Sequence, residues 1–255
     1  MKSQAAIVGG GVTGKATAKA LGIEKIFDKL VKRSNITASE AVNFKYLFIC
    51  VPTPTNSNGC DISYVEDTIK RFGNKHIFII RSTVIPGTAN MLVKKYNCTI
   101  ISNPEFLTES TSEEDAINPD IIVLGSEEKR IIKDIRNLFY TKEKFPNSKI
   151  VETDNKTAEM IKYAINNFYA VKVIFANYLY RICNNEGINY NIVKETMYER
   201  KWIGKNHLTV PYRNQFGVRG KCLPKDLTAF AKFSNNHFYN EMIKHMEEIN
   251  SWKTR

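Results

Sequence analysis

A glycine-rich turn near the start of the chain limits the fold more than any other feature. Ala6-Ile7-Val8 runs into Gly9-Gly10-Gly11-Val12-Thr13-Gly14, the pattern G-x-G-x-x-G on Gly9, Gly11 and Gly14. An apolar, strand-like run precedes it and a helix-compatible segment follows. In that context the first glycine permits a tight turn, the second lets backbone N–H groups approach a pyrophosphate, and the third lets the helix pack on the strand. The helix N-terminus would then face the phosphates. A second apolar run ends at Asp28, nineteen residues after Gly9. A carboxylate there can hold the adenine ribose diol of a dinucleotide. It favours NAD over NADP because it repels a 2′-phosphate, although Lys29 beside it blurs the preference. Gly9, Gly11, Val12, Gly14 and Asp28 are therefore candidate cofactor residues. The competing reading is a glycine turn with no ligand.

The first 150 residues alternate short apolar runs with helix-like segments. Strands are predicted at Ala5–Val8, Lys25–Phe27, Tyr46–Val51, His76–Ile80, Thr99–Ser102, Ile121–Leu124 and Lys149–Val151. These runs are rich in Ile, Val and Phe and do not alternate with polar residues, as expected of strands covered on both faces. Amphipathic segments such as Asp61–Phe72 and Glu127–Tyr140 lie between them. The alternation predicts an α/β domain over residues 1–150, a Rossmann-type, doubly wound parallel sheet.

Beyond Val151 the pattern changes to helix, predicting an all-helical domain over 151–255. Residues 155–186 contain no Pro or Gly, and their apolar positions recur every three or four residues, giving one long amphipathic helix. Asp154 can cap its start and Gly187 its end. At about 30 residues, roughly 45 Å, the helix suits a link between domains or a homodimer seam. Shorter helices are predicted at Asn191–Glu199, Lys225–Phe233 and Phe238–Asn250.

Composition excludes several classes. Of the 255 residues, 43% are hydrophobic, enough for a globular core. No run approaches the ~18 apolar residues of a membrane span, and no signal peptide is visible, so a cytoplasmic protein without a membrane partner is expected. The net charge of +11 suits an anionic ligand, but the cations form no run and no RNA motif is present, so nucleic acid is not an expected partner. The five cysteines (Cys50, Cys60, Cys98, Cys183 and Cys222) are odd in number and include no C-x-x-C. That argues against a disulfide framework and against a metal site, and for a reducing compartment.

Seven further strings occur in order: Cys50-Val51-Pro52-Thr53-Pro54, Arg81-Ser82-Thr83-Val84-Ile85-Pro86-Gly87-Thr88, Ser102-Asn103-Pro104-Glu105-Phe106-Leu107-Thr108-Glu109, Asn118-Pro119-Asp120, Lys162-Tyr163-Ala164-Ile165-Asn166-Asn167-Phe168, Ile203-Gly204-Lys205-Asn206-His207 and Gly220-Lys221-Cys222-Leu223-Pro224-Lys225-Asp226. With the glycine turn they make the chain resemble the UDP-glucose/GDP-mannose dehydrogenase family from Ala5 to about Phe233.

The resemblance implies a nucleotide-sugar 6-dehydrogenase. A C6 alcohol becomes a carboxylate through a cysteine thiohemiacetal and thioester, with two hydrides passing to NAD, and UDP-glucose is the first candidate substrate. By resemblance Cys222 is the nucleophile, its flanking Lys221 and Lys225 and a helix start near Pro224 favouring the thiolate; an inert buried thiol is the alternative. Asp226 and Thr83 match residues that position water, and Thr83 also lies at the nicotinamide. Lys162 and Asn166 share a helix face and could hold an oxyanion and the substrate. Glu105 matches a base for thioester hydrolysis. Phe106, Leu107 and Glu109 match a substrate loop, Glu109 also near the cofactor, while Pro52 and Thr53 would cover the pyrophosphate and ribose. His207 matches a position in the substrate-side loop, where a loop-structuring histidine is at least as good a reading as a substrate contact.

The chain also departs from the family pattern. It reaches only Arg255, so the resemblance implies a missing third, nucleotide-sugar-binding domain. Arg219 replaces a glycine before the cysteine and could bind a substrate phosphate. Trp202 stands in place of an arginine, with Arg200 as a possible substitute. The stretch from Gly14 to Cys50 is short, so the sheet could lack a strand. Two alternatives stay open: a dehydrogenase for a different hydroxyl substrate, and a non-catalytic NAD-binding dimer.

Overall fold

A computed structural model describes residues 4–253. In chain order the elements are β1 (Ala5–Val8), α1 (Val12–Leu21), β2 (Ile26–Phe27), α2 (Ala38–Ala41), β3 (Tyr46–Ile49), β4 (Thr55–Asn56), β5 (Gly59–Cys60), α3 (Ser63–Phe72), β6 (Ile77–Ile80), α4 (Thr88–Tyr96), β7 (Thr99–Ser102), α5 (Ser112–Ile117), β8 (Ile121–Gly125), α6 (Lys129–Phe139), β9 (Lys149–Thr153), α7 (Asn155–Asn185), α8 (Tyr190–Tyr198), α9 (Leu223–Ser234) and α10 (His237–Asn250). The chain divides into two compact units. One comprises the segment up to Asn56 with Cys60–Lys162; the other comprises Ser57–Gly59 with the segment from Tyr163 onward.

The first unit is built on a seven-stranded sheet of order β2-β1-β3-β6-β7-β8-β9. Its apolar runs are continuous because successive side chains enter different cores. Ile7, Phe48, Ile79 and Ile101 join one buried cluster. Val8, Leu47, Ile49, Phe78, Ile80 and Ile100 join the cluster on the opposite face. The Rossmann-type reading therefore holds, and the strand order reverses between β1 and β3.

The sheet is not wholly parallel. β7 meets β8 antiparallel through the single pair Ser102 and Gly125, whereas β8 and β9 are parallel to each other. The connection contains only the six-residue α5, about 9 Å of helix. A small hairpin, β4–β5, is also present. It was not predicted, because each strand has two residues and no hydrophobic period.

In the second unit, α7 beyond Lys162 packs with α8, α9 and α10 around Ala170, Ile174, Leu227, Met242, Met246 and Ile249. The helix has 31 residues and both expected ends. Asp154 accepts the Thr157 N–H at 2.8 Å, and Gly187 adopts φ 67° beyond the last turn. α9 begins at Leu223, two residues earlier than predicted, with Pro224 in its first turn, where no N–H is needed.

Candidate active site

The dinucleotide end is assembled at the carboxyl ends of β1 and β3, where the strand order reverses and a crevice is expected. Gly9 has φ 105°, and a Cβ there would lie 2.5 Å from the Cys50 carbonyl oxygen. A Cβ on Gly14 would lie 1.8 Å from the Gly9 oxygen. These two glycines close the turn onto the strands. Gly11 behaves oppositely, since a Cβ there meets nothing within 4 Å. Its outer face is open, and α1 starts there with no side-chain cap and no acidic residue in its first turn. Val12, the first helical residue, is exposed. Open backbone N–H groups at an uncompensated helix N-terminus fit a pyrophosphate.

Asp28 follows β2 and is fixed by the same turn. One carboxylate oxygen accepts the Gly10 N–H at 2.7 Å and the other the Leu30 N–H at 2.7 Å. Each oxygen keeps a lone pair for a ribose hydroxyl. Beside it lies a cavity of about 540 Å³ whose lining includes Phe27, Asp28, Val31, Ile36, Thr37 and Arg71. The residues present therefore fit the adenosine half of NAD.

The loops after β3 and β6 are tied together. Thr53 Oγ1 donates to the Thr83 carbonyl at 2.7 Å, and Ser82 Oγ donates to the Val51 carbonyl at 2.7 Å. Pro52, exposed between these contacts, sits at the same strand ends. A small cavity is lined by Ser82, Thr83, Ser102, Pro104, Glu159 and Lys162. Lys162 is buried and donates from Nζ to the Glu105 backbone oxygen at 2.6 Å. Its Nζ also lies 3.6 Å from the Glu105 carboxylate and 5.3 Å from the Phe106 ring centre. The other Glu105 oxygen accepts the Leu107 N–H at 2.6 Å. Thr83, Glu105, Phe106, Leu107 and Lys162 are thus brought together within the first unit. Glu109 is exposed in a turn further along the loop.

Two further groups shape this cluster, and neither was foreseen. Buried Arg81 donates to Asn103 Oδ1 at 2.6 Å and to the Tyr140 hydroxyl at 3.2 Å, and Asn103 donates to the Val123 carbonyl. The three side chains fix the segment leading into Glu105. Glu159 accepts N–H groups from Gly87 and Ala89. Its position three residues before Lys162, on the same helix face, was the available signal.

In the second unit, Cys222 is exposed at the N-cap of α9. Asp226, one turn further, is 1% exposed. Its carboxylate accepts from Asn166 Nδ2 at 2.6 Å and from Lys225 Nζ at 2.5 Å. The thiol lies at a helix start, whose N–H groups favour an anion, while in the same first turn the Asp226 carboxylate pairs with Lys225. Arg219 is engaged differently from a free phosphate ligand. Its Nε donates to the Phe216 carbonyl at 2.9 Å and its Nη2 to the Asn250 carbonyl at 2.5 Å, at the end of α10. His207 stacks on Tyr169 with ring centres 4.2 Å apart, and burial first, then Lys172, lowers its pKa.

No group of three or more His, Cys, Asp or Glu side chains suited to a metal occurs among the described residues. No helix among them is long and apolar enough to cross a membrane.

Comparison with known proteins gives the same picture. The family model for the UDP-glucose/GDP-mannose dehydrogenase NAD-binding domain matches residues 8–143, and the model for that family's central domain matches residues 156–252. A UDP-glucose 6-dehydrogenase of Rickettsia prowazekii is 34% identical over 218 residues, covering 81% of this chain and 49% of the relative. A GDP-mannose 6-dehydrogenase of Pseudomonas savastanoi is 31% identical over 240 residues, covering 85% of this chain and 53% of the relative. The chain thus spans about half the length of these curated relatives. Among solved structures, a UDP-glucose dehydrogenase from Pyrobaculum islandicum matches with a TM-score of 0.82 at 25% identity, covering 97% of this chain and 68% of that one.

Proposed function

The chain belongs to the UDP-glucose/GDP-mannose dehydrogenase family, and we propose that it oxidises the C6 alcohol of a nucleotide sugar, UDP-glucose first, to the carboxylate. The observation that carries this reading is Cys222, exposed at the start of α9 while Asp226, one turn on, holds both Lys225 and Asn166. NAD, when bound at the glycine turn, accepts one hydride in each of two oxidations.

Each step needs a group that this chain carries. Loss of hydride and a proton from the alcohol leaves an aldehyde. The Cys222 thiolate then forms a C–S bond to the aldehyde carbon, and its oxyanion takes a proton to give a thiohemiacetal. Loss of a second hydride and of the hydroxyl proton leaves a thioester on Cys222, and water cleaves the C–S bond to release acid and thiol. Lys162 and Asn166, four residues apart on α7, supply donors for the C6 oxygen as charge develops on it. Glu105 serves as base for the attacking water, with Asp226 and Thr83 positioning that water. Phe106, Leu107 and Glu109 form the substrate loop. Arg219 holds two backbone carbonyls through Nε and Nη2, and its remaining N–H donors would meet a substrate phosphate.

The long helix supports homodimer formation. Phe168, Phe175 and Ile182 are 61%, 52% and 56% exposed at seven-residue intervals, an apolar stripe suited to a second copy.

The test is incubation with NAD and a panel of UDP- and GDP-sugars. Two NADH per sugar, and a thioester on Cys222 by mass spectrometry that Cys222→Ala abolishes, are expected. Full acid production by Cys222→Ala would overturn the mechanism. NAD binding with no turnover on any alcohol would leave a binding module.

A further inference from the structure

Glu159 has no part in the chemistry above, yet it is 3% exposed and lies one turn before Lys162 on α7. A carboxylate removed from water needs donors in place of its lost hydration. Glu159 draws them from two other elements. Its Oε2 accepts the Gly87 N–H at 2.5 Å and its Oε1 the Ala89 N–H at 2.8 Å. Ser102 Oγ lies 3.4 Å from Oε1. Gly87 is the N-cap of α4 and has no side chain to cap it, so Glu159 supplies the cap from a distant helix. The Gly87 N–H closes the loop that carries Thr83, and Ser102 ends the strand leading to Glu105. Glu159, Thr83, Pro104 and Lys162 also line one small cavity.

We propose that Glu159 is a positioning residue, whose carboxylate locks the Thr83 loop to the turn of α7 that presents Lys162 for the oxidation. This rests on the dehydrogenase reading above. Loss of the lock would loosen two reacting groups at once without removing either. Burial of this carboxylate is costly: it pushes the pKa up to about 7, against the pull of the Ala89 and Gly87 N–H groups. The other charged group lining the cavity is Lys162, which pairs with Glu105 outside it.

The test compares the full wild-type chain with Glu159→Gln, which keeps the length but turns an amide donor toward backbone N–H groups. Hydrogen exchange and turnover are read together. Exchange is expected to quicken in peptides covering residues 83–89 and to stay unchanged in α9. Because a displacement of ~1 Å can cost ~100-fold in rate, kcat per folded molecule is expected to fall by about 10- to 100-fold. The KM for NAD is expected to move by less than about threefold, since the glycine turn is untouched. Unchanged exchange over 83–89, or a fall in thermal stability with kcat intact, overturns the proposal. The wild-type chain gives a further check that needs no variant: Gly87 and Ala89 amides that exchange as fast as an exposed turn also overturn it. Absence of NADH from the wild type counts against the dehydrogenase reading, whereas unchanged exchange counts against Glu159 alone.

Discussion

Asn166 on α7 donates its side-chain amide to Asp226 on α9 across 2.6 Å, and both side chains are buried. The bond ties the helix that carries the amide to the helix that Cys222 starts. Asp226 also holds Lys225, so its carboxylate neutralises a cation in the first turn of the helix that Cys222 caps. Replacement of Asp226 by Ala leaves a buried amide and an ammonium without their acceptor. The expected cost is roughly 2–4 kcal/mol in urea unfolding. Asp226→Asn preserves shape but faces Lys225 with a neutral group, and should lose turnover by more than its smaller stability loss explains. A cost below about 0.5 kcal/mol for Asp226→Ala, the range of an ordinary surface change, would mean the carboxylate is not the buried hub described here.

The glycine turn separates a folding role from a binding role. Gly14→Ala places a Cβ 1.8 Å from the Gly9 oxygen, an overlap that only backbone movement relieves. A loss of about 1–3 kcal/mol is expected. Gly11→Ala meets no protein atom within 4 Å, so its unfolding midpoint should match the wild type. NAD binding should nonetheless weaken by about tenfold, roughly 1.4 kcal/mol, because the methyl group occupies the approach of the pyrophosphate. Calorimetric titration beside thermal melts checks both. A Gly11→Ala chain that binds NAD normally would place the phosphates elsewhere.

Cysteine reactivity should rank by environment. Cys222 is exposed at a helix start, whereas Cys50, Cys98 and Cys183 are buried. Burial pushes the Cys50 thiol up to about 12, against the opposing pull of Arg81, and burial also raises Cys98. Iodoacetamide at neutral pH should therefore modify Cys222 first, by at least about tenfold in rate over the buried thiols. The Cys50 shift has a further consequence. Above pH 9 the unfolded chain ionises this thiol while the folded chain keeps its proton until about 12. The folded state thus binds more protons in that window, and stability falls as pH rises through it. Cys50→Ala should show a shallower alkaline loss between pH 9 and 11. An identical slope in the two chains would contradict the burial argument.

The sheet could be read from the sequence because its strands are covered on both faces, so that Tyr46 to Ile49 and Ile77 to Ile80 stand out as unbroken apolar runs. The direction of β8 could not, since an apolar run carries no sign of whether its neighbour is parallel. The long helix was readable from its period and from Asp154 and Gly187 at its ends. Site residues were readable where a local string carries them, as with Gly9 to Gly14 or Cys222 to Asp226. The roles of Arg81, Asn103 and Tyr140 were not, because nothing local marks a polar side chain as buried, and Glu159 was marked only by its place one turn before Lys162. Arg81 meets Tyr140 across a sequence separation of 59. Arg219 is a mixed case: its charge suggested a phosphate ligand, and its bonds to the carbonyls of Phe216 and Asn250 had no local signal.

The exposed stripe on α7 gives the last test. Phe168, Phe175 and Ile182 fall on one line of the helix. Three large apolar side chains in water carry a hydrophobic cost that a second copy removes, about 1.5–3 kcal/mol for each one fully buried. Phe175 occupies the middle of the line, so Phe175→Asp places a charge at the centre of the seam, where solvation is poorest once two chains meet. The wild type is expected to run as a dimer in light-scattering chromatography, and Phe175→Asp as a monomer with an unchanged far-ultraviolet spectrum. A wild type that stays monomeric at high micromolar concentration would sink the dimer reading. A Phe175→Asp chain that stays dimeric would move the seam to another surface.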